Sequence, residues 1–283
     1  MGGAQMPFTV DIAASTERSI AQRILVCEDN HLIAAGLASI LAREGYTVLG
    51  PVDTGEEALR TAFQDLPDLA LLDAELTLGL PPAVTAATGI DAMVHAIEAY
   101  TSALKKNPMS DLLAREALRL LAANLDEAVH NGSNREARQA MLLGACLAGQ
   151  AFANAPVAAV HALAYPLGGN FHIPHGLSNA LVLPQVLRFN VSAAATHYGE
   201  LAPIILGERL RTGDPSTYAE QLIAEFEQMS ARVGLPTRLR DAGVPEDMLP
   251  QLAKEAMLQQ RLLVNNPREV SEADALAIYQ AAY

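Results

Sequence analysis

The chain holds two cysteines in 283 residues, Cys27 and Cys146, with no paired spacing between them. That excludes a disulfide framework and a thiolate zinc site, and it suits a reducing cytoplasm. Positive charge is also scarce. Nineteen Lys and Arg stand against 32 Asp and Glu, which gives a formal net charge of −13 and a pI near 4.9. There is no basic run and no interleaving of aromatic with basic residues. Nucleic acid and anionic membrane surfaces are therefore excluded as partners. The N-terminus has no basic segment followed by an apolar one, so no signal peptide is expected. No apolar run reaches membrane-spanning length without a polar interruption. The expectation is a cytoplasmic protein.

What is present is apolar. Hydrophobic residues make up 51% of the chain and charged ones 18%, enough for a sizeable core and too little polarity for disorder. The length allows one large domain or two ordinary ones. Residues 1–21 are aperiodic and read as a lead-in.

Residues 22–75 alternate in period. Arg23-Ile24-Leu25-Val26-Cys27 reads as a strand, followed by a helical pattern through Leu32, Ile33, Leu37, Ile40 and Leu41 that Gly45 stops. Tyr46–Gly50 reads as a second strand, and Asp53-Thr54 caps a second helix. Asp68-Leu69-Ala70-Leu71-Leu72-Asp73 reads as a third strand. Strand–helix–strand–helix–strand predicts three parallel strands with right-handed crossovers.

Residues 76–283 read as helices throughout, with turns at Asn131-Gly132-Ser133-Asn134 and an irregular loop through Gly168-Gly169 and Pro174. Asp111 is expected to cap one helix, and Ser271-Glu272-Ala273-Asp274 to open the last as a capping box. Gly144, Ala145, Ala148 and Gly149 would let one helix pack closely. Met93, Met141 and Phe152 are expected in the core.

Ligand-type residues gather in one stretch. Asp91 and His95 are four apart in an apolar, Pro-free run, so they share a helix face one turn apart. His161 opens a second apolar segment, and His175 stands between Pro174 and Gly176. One carboxylate and three imidazoles suit a divalent transition metal. Read alone, the spacing equally fits a surface pair and a hydrogen-bonded core histidine. The apolar neighbours Ile90, Met93, Val94 and Ile97, and Val160 and Leu163, favour the metal, because charge in such surroundings needs a partner.

The words GIDAMVHAIEAYTS, NPMSDLLAREALRLL, AFANAPVAAVHALAYPLGGNFHIPHGLSNALVLPQVLRFN and NNPREVSEADALAIYQAA resemble the C-terminal half of the iron-dependent (group III) alcohol dehydrogenases, over roughly Asp73 to the C-terminus. The resemblance implies an all-helical, dehydroquinate-synthase-like domain in which Asp91, His95, His161 and His175 hold Fe(II), or Zn(II). It also implies NAD(P) as hydride carrier and a small alcohol or aldehyde as substrate. Many members carry His where this chain has Tyr165. His172 stands nearby as the candidate for moving the hydroxyl proton, with Tyr165 as the alternative. The family binds its nucleotide through a Gly-Gly-Gly-Ser loop in an N-terminal domain. Neither Gly2-Gly3 nor Thr54-Gly55 supplies one.

Residues 22–75 are similar to the first half of a response-regulator receiver, a flavodoxin-like α/β fold. That likeness makes Asp73 the phosphoacceptor and Glu28 and Asp29 the Mg(II) ligands. The likeness is partial, because two further strand–helix units are missing. Asp73-Ala74-Glu75-Leu76-Thr77 is also similar to the word with which the dehydrogenases open their helical domain. Thr77, which closes that word, is a candidate cofactor contact. Three functions stand open: an alcohol dehydrogenase-type oxidoreductase, intact or impaired by loss of its nucleotide domain; a phosphorelay module; and an inactive metal-binding fusion. An unpaired edge at Leu69–Leu72 predicts a homo-oligomer.

Overall fold

The computed structural model describes residues 22–27, 31–52 and 73–283. The chain divides into two compact units, Met1–Leu71 and Leu72–Tyr283. In the first, β1 (Arg23–Cys27) and β2 (Thr47–Val52) pair in parallel around α1 (His31–Arg43). The register runs Arg23 to Thr47 and Leu25 to Leu49, then shifts before Cys27 meets Val52. Gly50 sits at that shift with φ +90°, where a Cβ would stand 2.9 Å from the Val26 carbonyl oxygen. Gly45, with φ +91°, follows α1 as a stop glycine does. The parallel pairing is as the sequence implies. The second helix and the body of the third strand lie outside the described residues, as do the edge at Leu69–Leu72, Glu28, Asp29 and the lead-in. Asp73 is described, and it is not in a strand. Its Oδ1 accepts from Glu75 N at 2.9 Å and caps a 3₁₀ turn over Ala74–Thr77.

The second unit is helical from Pro82 onward. Helix α2 (Pro82–Thr101) starts at a proline, whose missing N–H costs nothing at that position. Fourteen of its twenty residues are buried, so it is the central helix of the bundle. Helices α3 (Pro108–His130) and α4 (Arg135–Asn154) pack on it. Helix α5 (Ala159–Phe171) and the 32-residue α6 (His175–Leu206) follow. Helices α7 (Pro215–Arg232), α8 (Leu249–Ala256), α9 (Gln260–Leu263) and α10 (Glu272–Ala282) complete it. No single helix among the described residues is long and apolar enough to cross a membrane.

Local rules were followed in some places and overridden in others. Ser271 and Asp274 form the capping box of α10 as expected. Helix α3 starts earlier than Asp111. Asn107 caps it by accepting from Met109 N and Ser110 N, and Asp111 instead pairs with Lys106 at 2.7 Å. Gly168 and Gly169 continue α5 as helix rather than loop, because tertiary packing outweighs their weak propensity. Helix α6 begins at His175, directly after Pro174, and runs unbroken through Pro184. Close packing through small residues holds at Gly144, where a Cβ would meet Leu121 Cγ at 2.8 Å. It does not hold at Gly149, which has nothing within 4 Å. Met93 and Met141 are in the core; Phe152 is 37% exposed.

Two phenols are buried outright, Tyr198 and Tyr279. Tyr279 donates to the Leu163 carbonyl at 2.6 Å. Burial raises the pKa of both above the ordinary value of about 10. Ionisation is thus easier in the unfolded chain, so their stabilising effect is complete below about pH 10 and is lost as pH rises further. Far-ultraviolet circular dichroism is expected to show unfolding above pH 10, with tyrosinate absorbance at 295 nm rising in step. Titration of these phenols near pH 10 with the helices intact would contradict the burial.

Candidate metal centre

Three helices converge on one point. Helix α2 brings Asp91 and His95, α5 brings His161 in its first turn, and α6 brings His175 as its first residue. Each offers one ligand atom, and the four atoms lie within 4.8 Å of one another. His161 Nε2 is 3.0 Å from His95 Nε2 and 3.8 Å from Asp91 Oδ1, while His175 Nε2 is 3.7 Å from Asp91 Oδ1. The cluster has a buried side and an open one: the His161 side chain is 2% exposed and that of His175 48%.

The close approach of α6 to α2 depends on Gly176. A Cβ there would lie 2.5 Å from the Ala87 carbonyl oxygen and 2.7 Å from its carbon. Both are backbone atoms that cannot rotate aside, so only glycine lets the first turn of α6 seat His175 over Asp91.

Glu98 was not singled out by the sequence. It lies on α2 three residues after His95 and seven after Asp91, which places it on the same helix face. It is buried, takes the Val160 N–H on Oε1 at 2.6 Å, and meets His161 Nδ1 at 2.7 Å on Oε2. A carboxylate there makes Nδ1 the donor, so in the neutral ring of His161 the lone pair is on Nε2, facing the cluster. Burial disfavours charge on His161, but the charge and hydrogen bond of Glu98, with Asp91 behind, hold its pKa above the usual histidine value. His95 goes the other way: burial first, with His161 and His175 nearby, pushes its pKa down to about 4 against the pull of Asp91 and Glu98. Burial thus favours the neutral ring of His95, whose Nε2 faces His161 Nε2. Two imidazole nitrogens facing each other at 3.0 Å, beside a carboxylate, are stable around a proton or a cation. The donor set fits a mononuclear Fe(II) or Zn(II) ion.

Phe152 lies in this site rather than in the core. Its ring stacks on His95 with centroids 4.7 Å apart and planes 24° off parallel. Tyr165 is half-buried, with its ring 5.9 Å from that of His175. His172 is exposed, at the left-handed stop of α5 with φ 55°. Asn179, a second residue the sequence did not flag, sits one turn after His175 and donates to Asp91. Both omissions have a spacing signal: Glu98 continues the Asp91–His95 face, and Asn179 is four after His175.

Thr77 is away from this cluster in its contacts. Its Oγ1 donates to Ala74 O at 2.8 Å and closes the 3₁₀ turn. It also lines a cavity of about 140 Å³ with Thr85, Arg138 and Met141. That is small beside the roughly 300–1,000 Å³ of ordinary small-molecule sites.

A helical bundle that gathers one carboxylate and three imidazoles from three helices defines a class of candidate mononuclear metal proteins. The comparisons narrow it. Residues 85–283 match the model of the Fe-containing alcohol dehydrogenase family, C-terminal. The chain is 45% identical over 218 residues to a long-chain-alcohol dehydrogenase of Geobacillus thermodenitrificans, covering 77% of this chain and 55% of that protein. It is 39% identical over 249 residues to a 1,3-propanediol dehydrogenase of Klebsiella pneumoniae, covering 88% and 63%. A crystal structure of a 1,3-propanediol oxidoreductase superposes with a TM-score of 0.76 at 27% identity, over 93% of this chain and 92% of that one. The chain belongs to the iron-containing alcohol dehydrogenase family. It spans 55% to 63% of the length of these two curated relatives. The propanediol dehydrogenase match covers more of the chain than its helical unit can supply, so it runs into the segment compared above with a receiver. The receiver likeness gains no support from the fold or the relatives.

Proposed function

We propose that this chain provides the metal centre for interconversion of a small alcohol and its aldehyde with a nicotinamide nucleotide. The observation that carries the reading is the inward-facing pair His95 Nε2 and His161 Nε2, 3.0 Å apart, with the His161 tautomer set by buried Glu98. Asp91, His95, His161 and His175 would hold Fe(II), or Zn(II). When bound, that ion supplies Lewis acidity toward an alcohol or carbonyl oxygen. Hydride transfer belongs to NAD(P).

The chain's own residues have separate tasks. Glu98 keeps His161 in the ligating tautomer. Phe152 walls the cluster on the His95 side and keeps water from it. The open side, at His175, is where substrate enters. Tyr165, whose ring neighbours His175, or His172 at the stop of α5 takes up and returns the hydroxyl proton. Thr77 is the proposed cofactor contact in this chain. The name of the propanediol dehydrogenase relative supports a small alcohol or aldehyde substrate, and a homo-oligomer is proposed with it.

The test is titration of NADH into Fe- or Zn-loaded chain, followed by nicotinamide fluorescence and then by aldehyde-dependent NADH loss. Saturable binding with turnover is expected. No binding up to millimolar nucleotide would leave an inactive metal-binding domain. The alternative reading is a phosphorelay module with Asp73 as phosphoacceptor and Mg(II) at Glu28 and Asp29. Labelling by acetyl phosphate that Asp73→Asn abolishes would support it. The carboxylate of Asp73 is engaged in capping the turn that opens the helical unit, which counts against it.

A further inference from the structure

Asn179 follows His175 by one turn of α6, so its side chain points at the same cluster. The residue is fully buried. Its Nδ2 stands 2.5 Å from Asp91 Oδ1, 3.3 Å from His161 Nε2 and 3.2 Å from His175 Nε2. One atom therefore touches three of the four ligand atoms. The other end of the same amide is orphaned: Oδ1 is buried without a hydrogen-bond partner among the described residues. A buried acceptor without a donor costs about 1–3 kcal/mol.

The two ends suit opposite situations. The two amide N–H groups serve lone pairs of the Asp91 carboxylate and of one of the two neighbouring ring nitrogens, His161 Nε2 or His175 Nε2. A cation held by those lone pairs reverses the account. An amide nitrogen has no lone pair to give and presents positive hydrogens to the ion. The orphaned carbonyl oxygen is a donor that Fe(II) and Zn(II) accept. We propose that Asn179 is a fifth ligand of the centre, its carboxamide turning about the last torsion to present Oδ1 to the ion. That torsion is broad and roughly two-fold, and the two ends of the amide differ little in shape. The bond from Nδ2 to Asp91 is given up, and coordination of the Asp91 carboxylate takes its place. This inference rests on the metal-centre reading above.

Zn(II) affinity of the full chain, measured by chelator competition, tests it. Asn179→Leu keeps the side-chain bulk without the oxygen and is expected to bind at least about ten-fold more weakly. Asn179→Asp keeps an oxygen in that place and is expected to match or exceed the parent. With Co(II) as probe, the Leu variant should show the more intense visible absorption of a four-coordinate ion. Thermal melting of the variants without added metal checks the fold, and Asn179→Ala decides the matter where the Leu variant melts early. Parent-like affinity in the Leu and Ala variants would overturn the fifth ligand alone. A parent chain that binds no Zn(II) would overturn the metal-centre reading and this inference together.

Discussion

Glu98→Gln is expected to weaken metal binding about 10- to 100-fold, although the residue holds no ligand position. The carboxylate of Glu98 accepts twice, from Val160 N and from His161 Nδ1. Glutamine has nearly the same shape but only one oxygen. Whichever way its amide points, an NH₂ faces either the Val160 N–H or the His161 Nδ1–H. A buried donor facing a donor costs about 1–3 kcal/mol. The cheaper escape is for His161 to shift its proton from Nδ1 to Nε2. That tautomer accepts from the new amide, but it places an N–H in the cluster where the lone pair has to be. Chelator competition at pH 7 is the check. Affinity equal to the parent would mean that His161 keeps its tautomer without Glu98.

Gly176→Ala is expected to destabilise the fold by about 1–3 kcal/mol and to weaken metal binding with it. The added Cβ meets the Ala87 backbone at 2.5 Å, so helices α2 and α6 must part. His175 is the neighbouring residue on α6, and Asp91 is one turn along α2 from Ala87. The separation is thus felt by the ligand pair first. Gly149→Ala is the control. It lies within a helix and faces open space, so it should stabilise by roughly 0.5–1 kcal/mol through helix propensity alone. Thermal melting of both variants reads the two signs. Equal small shifts would mean that the α2–α6 contact is slack.

Glu98 and Asn179 mark where sequence reading stops. Asp91 and His95 are legible because four-residue spacing on one helix is a local property. His161 and His175 add a pattern of imidazoles that few surface helices carry. The helical domain, its last capping box and the parallel pairing of the two described strands are read the same way, from periods and turn residues. Glu98 and Asn179 escape because buried carboxylates and amides use the same letters as solvent-facing ones. Only the fold decides which they are. Phe152 reads as core because an aromatic on an apolar helix usually is; its stacking on His95 is a tertiary event. Asp73 is the ambiguous case. One carboxylate ends a predicted strand and opens a predicted helical domain, and its observed bond to Glu75 N belongs to the second role.

The most direct test of the account is the stoichiometry of Fe(II) or Zn(II) on the purified chain, measured beside His161→Ala. His161 is the buried member of the cluster and the one whose tautomer is fixed, so its loss cannot be made good by solvent. The account predicts one tightly held ion per chain in the parent and none in the variant at the same free-metal concentration. Equal metal content in the two would contradict it.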